Sequence, residues 1–236
     1  ITHKNDKWKK VNLYEATDLE LVDYHLSENE WYVRQARTLL QEKGPNPEVH
    51  SALKKILKEN PESTKKLRAL WTLHATEGLT EAELGELLEQ KDEYIRSWAI
   101  QLLAEKKEVS TSILKKFESL AKNDSSSLVR LYLTSAMMRL DLEKRWGVLE
   151  ALSVRAEDAE DHNIPLMLWY AIEPLAEINP KRALALSVRS KIPNLLPYMI
   201  RRTAEINSSE AKKALNNLRG ELSEPHQKMI DSLLNK

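Results

Sequence analysis

The sequence contains no cysteine, which excludes disulfides, thiolate metal sites and a covalently attached c-type haem within the chain. It has only 5 glycines and 1 phenylalanine, whereas a β-rich protein needs more turn glycines and more β-branched and aromatic residues. No apolar run approaches the roughly 18 residues that cross a membrane, so we expect no membrane span. Together these absences favour a chain built from α-helices.

An excess of charge of either sign is also absent, because 36 Lys and Arg residues balance 36 Asp and Glu residues. A chain without net charge has no bulk attraction to nucleic acid or to an anionic membrane. The composition therefore disfavours nucleic acid as a partner, although a basic groove on one side of the molecule is compatible with it.

One spacing of apolar residues recurs along the chain. In the most apolar stretch, residues 161–177, apolar side chains stand at i, i+3, i+4, i+7 and i+8 from Leu168, which is the spacing of a helix face. The same template starts at seven positions about 27 to 39 residues apart, in the range of helical solenoid repeats. These starting positions are Tyr32, Leu67, Ile95, Val129 and Leu168, and, with weaker matches to the template, Leu195 and His226.

Seven shorter amphipathic segments lie between these helices, at residues 19–26, 49–57, 82–88, 113–121, 146–152, 183–187 and 211–218. Each resulting helix pair has one apolar face that a neighbouring pair must cover. We therefore predict an all-α superhelix of HEAT or armadillo type, with about seven antiparallel helix pairs and no sheet. Residues 18–236 form this repeat domain without a break, and residues 1–17 form a linker or the tail of a preceding domain.

The stretch at residues 161–177 is predicted to be a helix buried on most sides, because it is apolar nearly all round. Pro174 lacks an N–H and should kink or loosen its last turn. We expect Glu173 to be buried in a structural ion pair, since an unpaired carboxylate is costly inside an apolar stack. Its candidate partners are Arg130, Arg201 and Arg202.

Arginines recur at related positions of the predicted helices. Arg34 and Arg37 lie three residues apart on one helix face, and Arg96 and Arg130 each follow a template start directly. A ladder of arginines can bind phosphates along a groove. The balanced charge instead favours pairing of each arginine with an acidic residue of the adjacent repeat. Asp92 and Asp124 are candidate partners.

The aromatic residues form a stripe at helical spacing, which we interpret as core rather than as a platform for stacking bases. Its members are Trp31, Trp71, Trp98, Tyr132 and Trp169. The candidate structural or interaction residues of the chain are Trp31, Arg34, Arg37, Trp71, Trp169 and Glu173.

No arrangement typical of catalysis or metal binding is evident in the sequence. It has no Gly-rich phosphate loop, no Gly-x-Ser-x-Gly elbow and no Cys/His pair. His74 stands on a core face, and we interpret it as a neutral buried histidine. The histidines without a partner at metal-ligand spacing are His25, His50, His162 and His226. We therefore predict no catalytic residue, metal ligand or cofactor within this chain.

Three segments together resemble a known family. They are residues 29–40 (Asn-Glu-Trp-Tyr-Val-Arg-Gln-Ala-Arg-Thr-Leu-Leu), residues 67–74 (Leu-Arg-Ala-Leu-Trp-Thr-Leu-His) and residues 163–175 (Asn-Ile-Pro-Leu-Met-Leu-Trp-Tyr-Ala-Ile-Glu-Pro-Leu). They look like the HEAT-like repeat region of large secreted bacterial proteins known as membrane-bound dehydrogenases or PVC-type haem-binding CxxCH proteins. The resemblance covers about residues 18–202.

This resemblance implies that a sorbosone- or glucose-dehydrogenase-like β-propeller precedes the repeats and that a c-type cytochrome domain often follows them. Neither the propeller nor the haem motif lies in these residues, so the family's redox chemistry would reside outside this chain. A periplasmic or secreted location also follows from the resemblance. We therefore expect the chain to be a fragment of a larger protein.

Three functions are compatible with the sequence. The first is a non-catalytic scaffold that positions the propeller and the cytochrome, with those flanking domains or another protein as partners. The second is a HEAT-like nucleic-acid-binding protein or DNA glycosylase. The third is a generic protein–protein adaptor. The residues that the second function would use are Trp31, Arg34, Asp92, Arg96 and Trp98.

Overall fold

The computed structural model describes residues 11–235, so most of the predicted linker lies outside the described residues. Residues 11–235 form fifteen α-helices and four short 3-10 helices, and none of them lies in a β-strand. The all-α prediction is confirmed. The superhelical arrangement and the division of the chain after residue 17 stay predictions.

The chain divides into two compact units, one ending at Leu84 and the other beginning at Gly85. The helices of the first unit are α1 (Asp18–Asp23), α2 (Glu30–Lys43), α3 (Pro47–Glu59) and α4 (Ser63–Ala75). Helix α5 (Glu81–Leu87) contains the boundary. The helices of the second unit are α6 (Glu93–Glu105), α7 (Thr111–Asn123), α8 (Ser127–Met137), α9 (Trp146–Ser153), α10 (Ile164–Ile172), α11 (Leu175–Ile178), α12 (Pro180–Arg189), α13 (Leu195–Ile206), α14 (Ser209–Arg219) and α15 (Glu224–Leu234).

All fourteen predicted segments coincide with helices. The seven long templates are α2, α4, α6, α8, α10, α13 and α15, and the shorter segments are α1, α3, α5, α7, α9, α12 and α14. The remaining helix, α11, arises at Pro174. Because this proline has no N–H to continue the helical ladder, α10 ends at Ile172 and a new turn begins at Leu175. The predicted loosening is therefore a break.

Local capping explains where several helices begin. Asn46 accepts a hydrogen bond from the Glu48 backbone N–H at 2.9 Å, and Pro47 occupies the first turn of α3. Thr80 and Glu83 form a capping box, because the Glu83 N–H donates to the Thr80 hydroxyl and the Thr80 N–H donates to the Glu83 carboxylate.

In the first unit, helices that are two apart in the chain pack side by side. Helix α1 packs on α3 and α2 packs on α4, while α1 also contacts α2 and α3 contacts α4. This is the arrangement of two stacked helix pairs, in which each pair covers the apolar face of the other.

The second unit repeats the same pattern over a longer distance. Helices α6, α8, α10, α13 and α15 follow one another in one row, which we call the inner row. Helices α7, α9, α12 and α14 follow one another in a second row, the outer row. Apolar side chains between the rows form the core, including the fully buried Phe117, Leu133 and Leu149.

Helix α10 departs from the sequence prediction. We expected it to be buried on most sides, but Leu166 is 51% exposed and Tyr170 is 55% exposed, so this prediction is wrong. The buried face consists of Ile164, Leu168, Ala171 and Ile172. Helix α10 lies in the middle of the inner row, where α8 and α13 cover it on two sides and the outer-row helix α9 covers it on a third. Its remaining side is an apolar surface that is partly exposed to solvent.

Candidate functional site

The recurring arginines of the second unit are engaged in ion pairs. Arg96 donates from Nε and Nη2 to the two carboxylate oxygens of Asp124, at 2.7 and 2.9 Å. Its Nη1 donates to the backbone carbonyls of Gln90 and Lys91. Because most donors of this guanidinium are already satisfied, it has little capacity left for a phosphate.

Arg130 is held in the same way by an acidic residue 28 positions further along the chain. Its Nε and Nη2 each lie 2.5 Å from a carboxylate oxygen of Asp158, and its Nη1 donates to the Asp124 carbonyl. The hydrogen bond to Asp158 raises the pKa of Arg130. The predicted pairing of arginines with acidic residues of the adjacent repeat is thus confirmed for Arg96 and Arg130.

Arg34 and Arg37 in the first unit do not follow this rule, and for them the prediction is wrong. Arg34 is exposed and donates to the Glu30 carbonyl at 3.4 Å, while the Arg37 guanidinium lies 5.9 Å from the centroid of the Trp71 ring. Neither arginine forms an ion pair with a carboxylate in the described part of the chain. Trp31, on the same helix, is 53% exposed.

The aromatic stripe is not the core that the sequence indicated. Trp31 is exposed, and the other members, Trp71, Trp98, Tyr132 and Trp169, are half-buried. The fully buried residues beside them on the inner row include Ala99, Ala136 and Ala171. Small residues let neighbouring helices approach closely, so the large rings lie at the margin of the contact rather than inside it.

The rings of α10 and α13 form a shallow cleft. Trp169 and Tyr198 have ring centroids 5.3 Å apart and ring planes inclined at 65°. Tyr170 lies beside them and is 55% exposed. The cleft has a volume of about 310 Å³. Its lining residues are Trp169, Tyr170, Glu173, Tyr198, Arg201, Arg202 and Glu205.

A second cleft of about 280 Å³ lies further along the inner row. Trp98 of α6 and Tyr132 of α8 form its aromatic pair, with centroids 6.3 Å apart and planes inclined at 58°. Met167 of α10 lines this cleft and shares a helix face with Tyr170 of the first cleft. The two clefts therefore lie on the same side of the inner row. We call the surface formed by Trp98, Tyr132, Met167, Trp169, Tyr170 and Tyr198 the aromatic groove.

Glu173 lies at the edge of the aromatic groove and is paired as predicted. Its carboxylate contacts Nε of Arg202, and Nη2 of the same arginine contacts Glu177. The expectation that Glu173 is buried is wrong, because its side chain is 34% exposed at the end of α10, where the cleft is open. Arg201, next to this pair, is exposed and forms no ion pair with any residue between 11 and 235.

Pro174 has no N–H to donate to the Tyr170 carbonyl. The structure brings Nη1 of Arg145 to the neighbouring carbonyl, that of Ala171, at 3.4 Å. Arg145 also donates to the Leu140 carbonyl at 2.9 Å. Its burial lowers its pKa. This guanidinium stabilises the broken end of α10 without lining the aromatic groove.

Among the described histidines of the first unit, His25 is buried, whereas His74, which the sequence placed in the core, is half-buried. The His25 Nδ1 lies 3.1 Å from the Leu21 carbonyl, and its Nε2 lies 2.7 Å from the Thr72 hydroxyl. Burial lowers the pKa of His25 to about 4, so the ring is neutral at pH 7, with Nδ1–H donating to the carbonyl. This is a structural role.

The predicted site residues fall into two separate groups. Trp31, Arg34, Arg37 and Trp71 belong to the first unit, while Trp169 and Glu173 belong to the second. Tyr170, Tyr198 and Arg201 were not predicted as site residues from the sequence. A signal for Tyr198 was present, because it stands three residues after a template start, as Trp98 and Tyr132 do.

Within residues 11–235 no group of three or more His, Asp or Glu side chains is arranged to hold a metal ion. No helix in the same range has both the length and the apolar character needed to cross a membrane. No protein-family model matches the chain, and no curated protein matches it significantly.

Proposed function

We propose that this chain is a non-catalytic helical-repeat module that binds a protein partner through its aromatic groove. The observation that carries this proposal is the pair of exposed Trp–Tyr clefts on one side of the inner row. Partly exposed aromatic rings beside an arginine are the chemistry enriched at the energetic centres of protein interfaces. A contiguous apolar surface on a folded protein marks an interaction site.

The electrostatics of the groove support binding more than catalysis. Its carboxylate, Glu173, is occupied by an ion pair with Arg202. The arginines that follow template starts in the second unit are held by Asp124 and Asp158, which argues against a phosphate-binding groove there.

The family resemblance gives this module a setting. In a secreted or periplasmic dehydrogenase-like protein it would hold a β-propeller and a cytochrome c domain at a fixed separation, with these flanking domains as its partners. Substrate oxidation and electron acceptance would then belong to those domains, and this chain would hold no cofactor. A generic adaptor would use the same groove for an unrelated partner.

The experiment that tests this setting uses the complete protein encoded by the full reading frame. The groove variant Tyr132→Ser/Tyr198→Ser should slow haem reduction after substrate addition, measured by stopped-flow absorbance, and leave substrate oxidation by an artificial acceptor unchanged. The matched control is Val154→Ser/Val188→Ser, two exposed apolar side chains (45% and 40% exposed) at the C-cap of the outer-row helix α9 and within the outer-row helix α12. Turnover of sugars by the isolated chain with an artificial acceptor would contradict a non-catalytic role.

A specific observation keeps nucleic acid as the second candidate function. In the first unit Arg34 and Arg37 have no carboxylate partner among the described residues, and the exposed Trp31 stands on the same helix. Arginines beside exposed rings can bind phosphates and stack bases. The corresponding residues of the second unit do not support a glycosylase, because Arg96 is held by Asp124 and Asp92 caps α6.

An electrophoretic mobility shift with duplex and single-stranded DNA at two salt concentrations separates these functions. A non-catalytic protein-binding module should give no salt-dependent shift at physiological ionic strength. A shift that weakens with salt and disappears in Arg34→Ser/Arg37→Ser would instead establish the nucleic-acid function.

A further inference from the structure

We propose that the aromatic groove takes an extended proline-rich segment with an acidic residue beside its second anchoring proline. This partner class rests on the proposed interaction function and makes it more specific. It follows from the shape of the two aromatic pairs, the distance between them and the charge at one end of the groove.

The two aromatic pairs form corners rather than flat platforms. The ring planes are inclined at 65° in the Trp169–Tyr198 pair and at 58° in the Trp98–Tyr132 pair. A sugar or a base stacks on a flat ring face, whereas a corner with two apolar walls fits a compact, non-planar ring. The pyrrolidine ring of proline has that shape, and aromatic-lined grooves are the usual receptors for proline-rich segments.

The spacing of the corners fits the polyproline II conformation. One corner lies between α6 and α8 and the other between α10 and α13, so they are two steps apart along the inner row. Packed helices lie about 8–10 Å apart, which separates the corners by roughly 16–20 Å. A polyproline II segment rises about 3.1 Å per residue with three residues per turn, so prolines six residues apart span this distance on one face.

The polar groups of the groove suit the backbone of such a segment. Polyproline II has no internal hydrogen bonds, so its carbonyls are free to accept from side chains. Tyr170, Tyr198 and Gln101 line the clefts and can donate to these carbonyls. A preformed polyproline II segment also loses little conformational entropy on binding, and a shallow groove of this kind can therefore hold it.

The charge at the α13 end points to an acidic residue in the ligand. Arg202 is neutralised by Glu173 and Glu177, but Arg201 lines the same cleft and forms no ion pair within residues 11–235. Glu205 lies one turn further along α13 and is exposed as well. A carboxylate placed next to the second proline would complete a charge-assisted hydrogen bond with Arg201.

Fluorescence polarisation with labelled synthetic peptides tests this proposal directly. The probe is a proline-rich peptide of fourteen residues with anchoring prolines six residues apart and Asp after the second. We expect saturable binding that weakens about tenfold or more when both anchoring prolines are replaced by alanine, or when they are set four residues apart. Equal binding of the proline and alanine peptides would overturn the proposal.

Variants of the groove supply the second arm of the test. Tyr132→Ser and Tyr198→Ser should each weaken binding about tenfold, whereas the outer-row control Val154→Ser/Val188→Ser should bind unchanged. Arg201→Glu should weaken binding of the peptide that carries Asp and strengthen binding of a peptide in which Lys replaces that Asp. A folding defect would not reverse the charge preference in this way. The control Arg139→Glu changes an exposed arginine outside the clefts and should leave both peptides unaffected.

The outcomes separate this proposal from the proposed function. If no proline-rich peptide binds but the flanking domains bind in a way that requires Tyr132 and Tyr198, the proline class is wrong and the interaction function stands. If the groove binds an oligosaccharide or single-stranded DNA and no peptide, the proposal that its partner is a protein is wrong as well.

Discussion

Arg130 donates hydrogen bonds to both carboxylate oxygens of Asp158 inside the second unit, where the two side chains are only 3% and 2% exposed. Arg96 forms the same bidentate pair with Asp124, and in both pairs the acidic residue lies 28 positions after the arginine. Each pair joins one repeat to the next. The two arginines are therefore fixed links between successive parts of the second unit, and few of their donors are left for a ligand.

The Arg130–Asp158 pair should contribute strongly to stability. Asp158→Ala leaves a buried guanidinium without its partner and should lower the free energy of unfolding by about 3–5 kcal/mol. The control is Asp231→Ala. Arg219 forms the same bidentate pair with Asp231 at 2.6 Å, but both side chains are more than 40% exposed. The loss of unfolding free energy in Asp231→Ala should therefore be barely measurable. Urea denaturation measures both, and equal losses would show that burial does not determine the contribution.

His25 should make the stability of the chain depend on pH. Burial lowers its pKa to about 4, whereas the unfolded imidazole has a pKa of 6.5. Between these values the unfolded state binds more protons than the folded state, so stability is greatest above pH 6.5 and falls as the pH decreases towards 4. The fall attributable to this group is about 3 kcal/mol.

The measurement is urea denaturation of the wild type and of His25→Gln between pH 4 and 8. The variant cannot take up a proton at this position, so the difference in unfolding free energy between the two proteins should shift in favour of the variant below pH 6.5. Parallel pH profiles would mean that His25 remains accessible to protons in the folded state.

The two tryptophans Trp146 and Trp169 should differ in their contributions to stability. Trp146 is 3% exposed, with the Arg182 guanidinium 4.4 Å from its ring centroid, so Trp146→Ala should cost about 3–5 kcal/mol. Trp169 is half-buried in the groove, and Trp169→Ala should cost roughly half as much. Thermal unfolding distinguishes them. A larger loss at Trp169 would mean that its ring belongs to the core after all.

Replacing Gly78 with alanine should destabilise the protein, because there is no room for a Cβ at this position. A Cβ at this position would lie 2.7 Å from Cδ2 of His50 and 2.9 Å from a methyl of Leu73, and the His50 ring is held by the Thr76 carbonyl at 3.0 Å. We expect Gly78→Ala to destabilise the protein by about 1–3 kcal/mol. Gly220→Ala has open space and should stabilise it by about 0.4–1 kcal/mol. Urea denaturation should give changes in unfolding free energy of opposite sign for the two variants. No change for Gly78→Ala would contradict the packing described for His50.

The helices were predictable from the sequence because their apolar spacing, caps and prolines act locally. The sequence also predicted that Arg96 and Arg130 pair with acidic residues further along the chain. The recurring helix pattern suggests this, because it brings equivalent positions of neighbouring helices together. The exposure of Tyr170 and Trp169 was not predictable in the same way. Periodicity identifies an apolar face but does not say whether another row of helices covers it. Whether a described carboxylate forms an ion pair with Arg34 or Arg37 likewise depends on neighbours that only the fold specifies.

Calorimetric titration of this chain with the flanking domains that the proposed function implies, expressed separately from the full reading frame, tests the central claim most directly. The account predicts measurable binding by the wild type and by Val154→Ser/Val188→Ser, and at least about tenfold weaker binding by Tyr132→Ser/Tyr198→Ser. Unchanged binding by the groove variant, with its helical circular dichroism intact, would contradict the claim that the aromatic groove is the interaction surface.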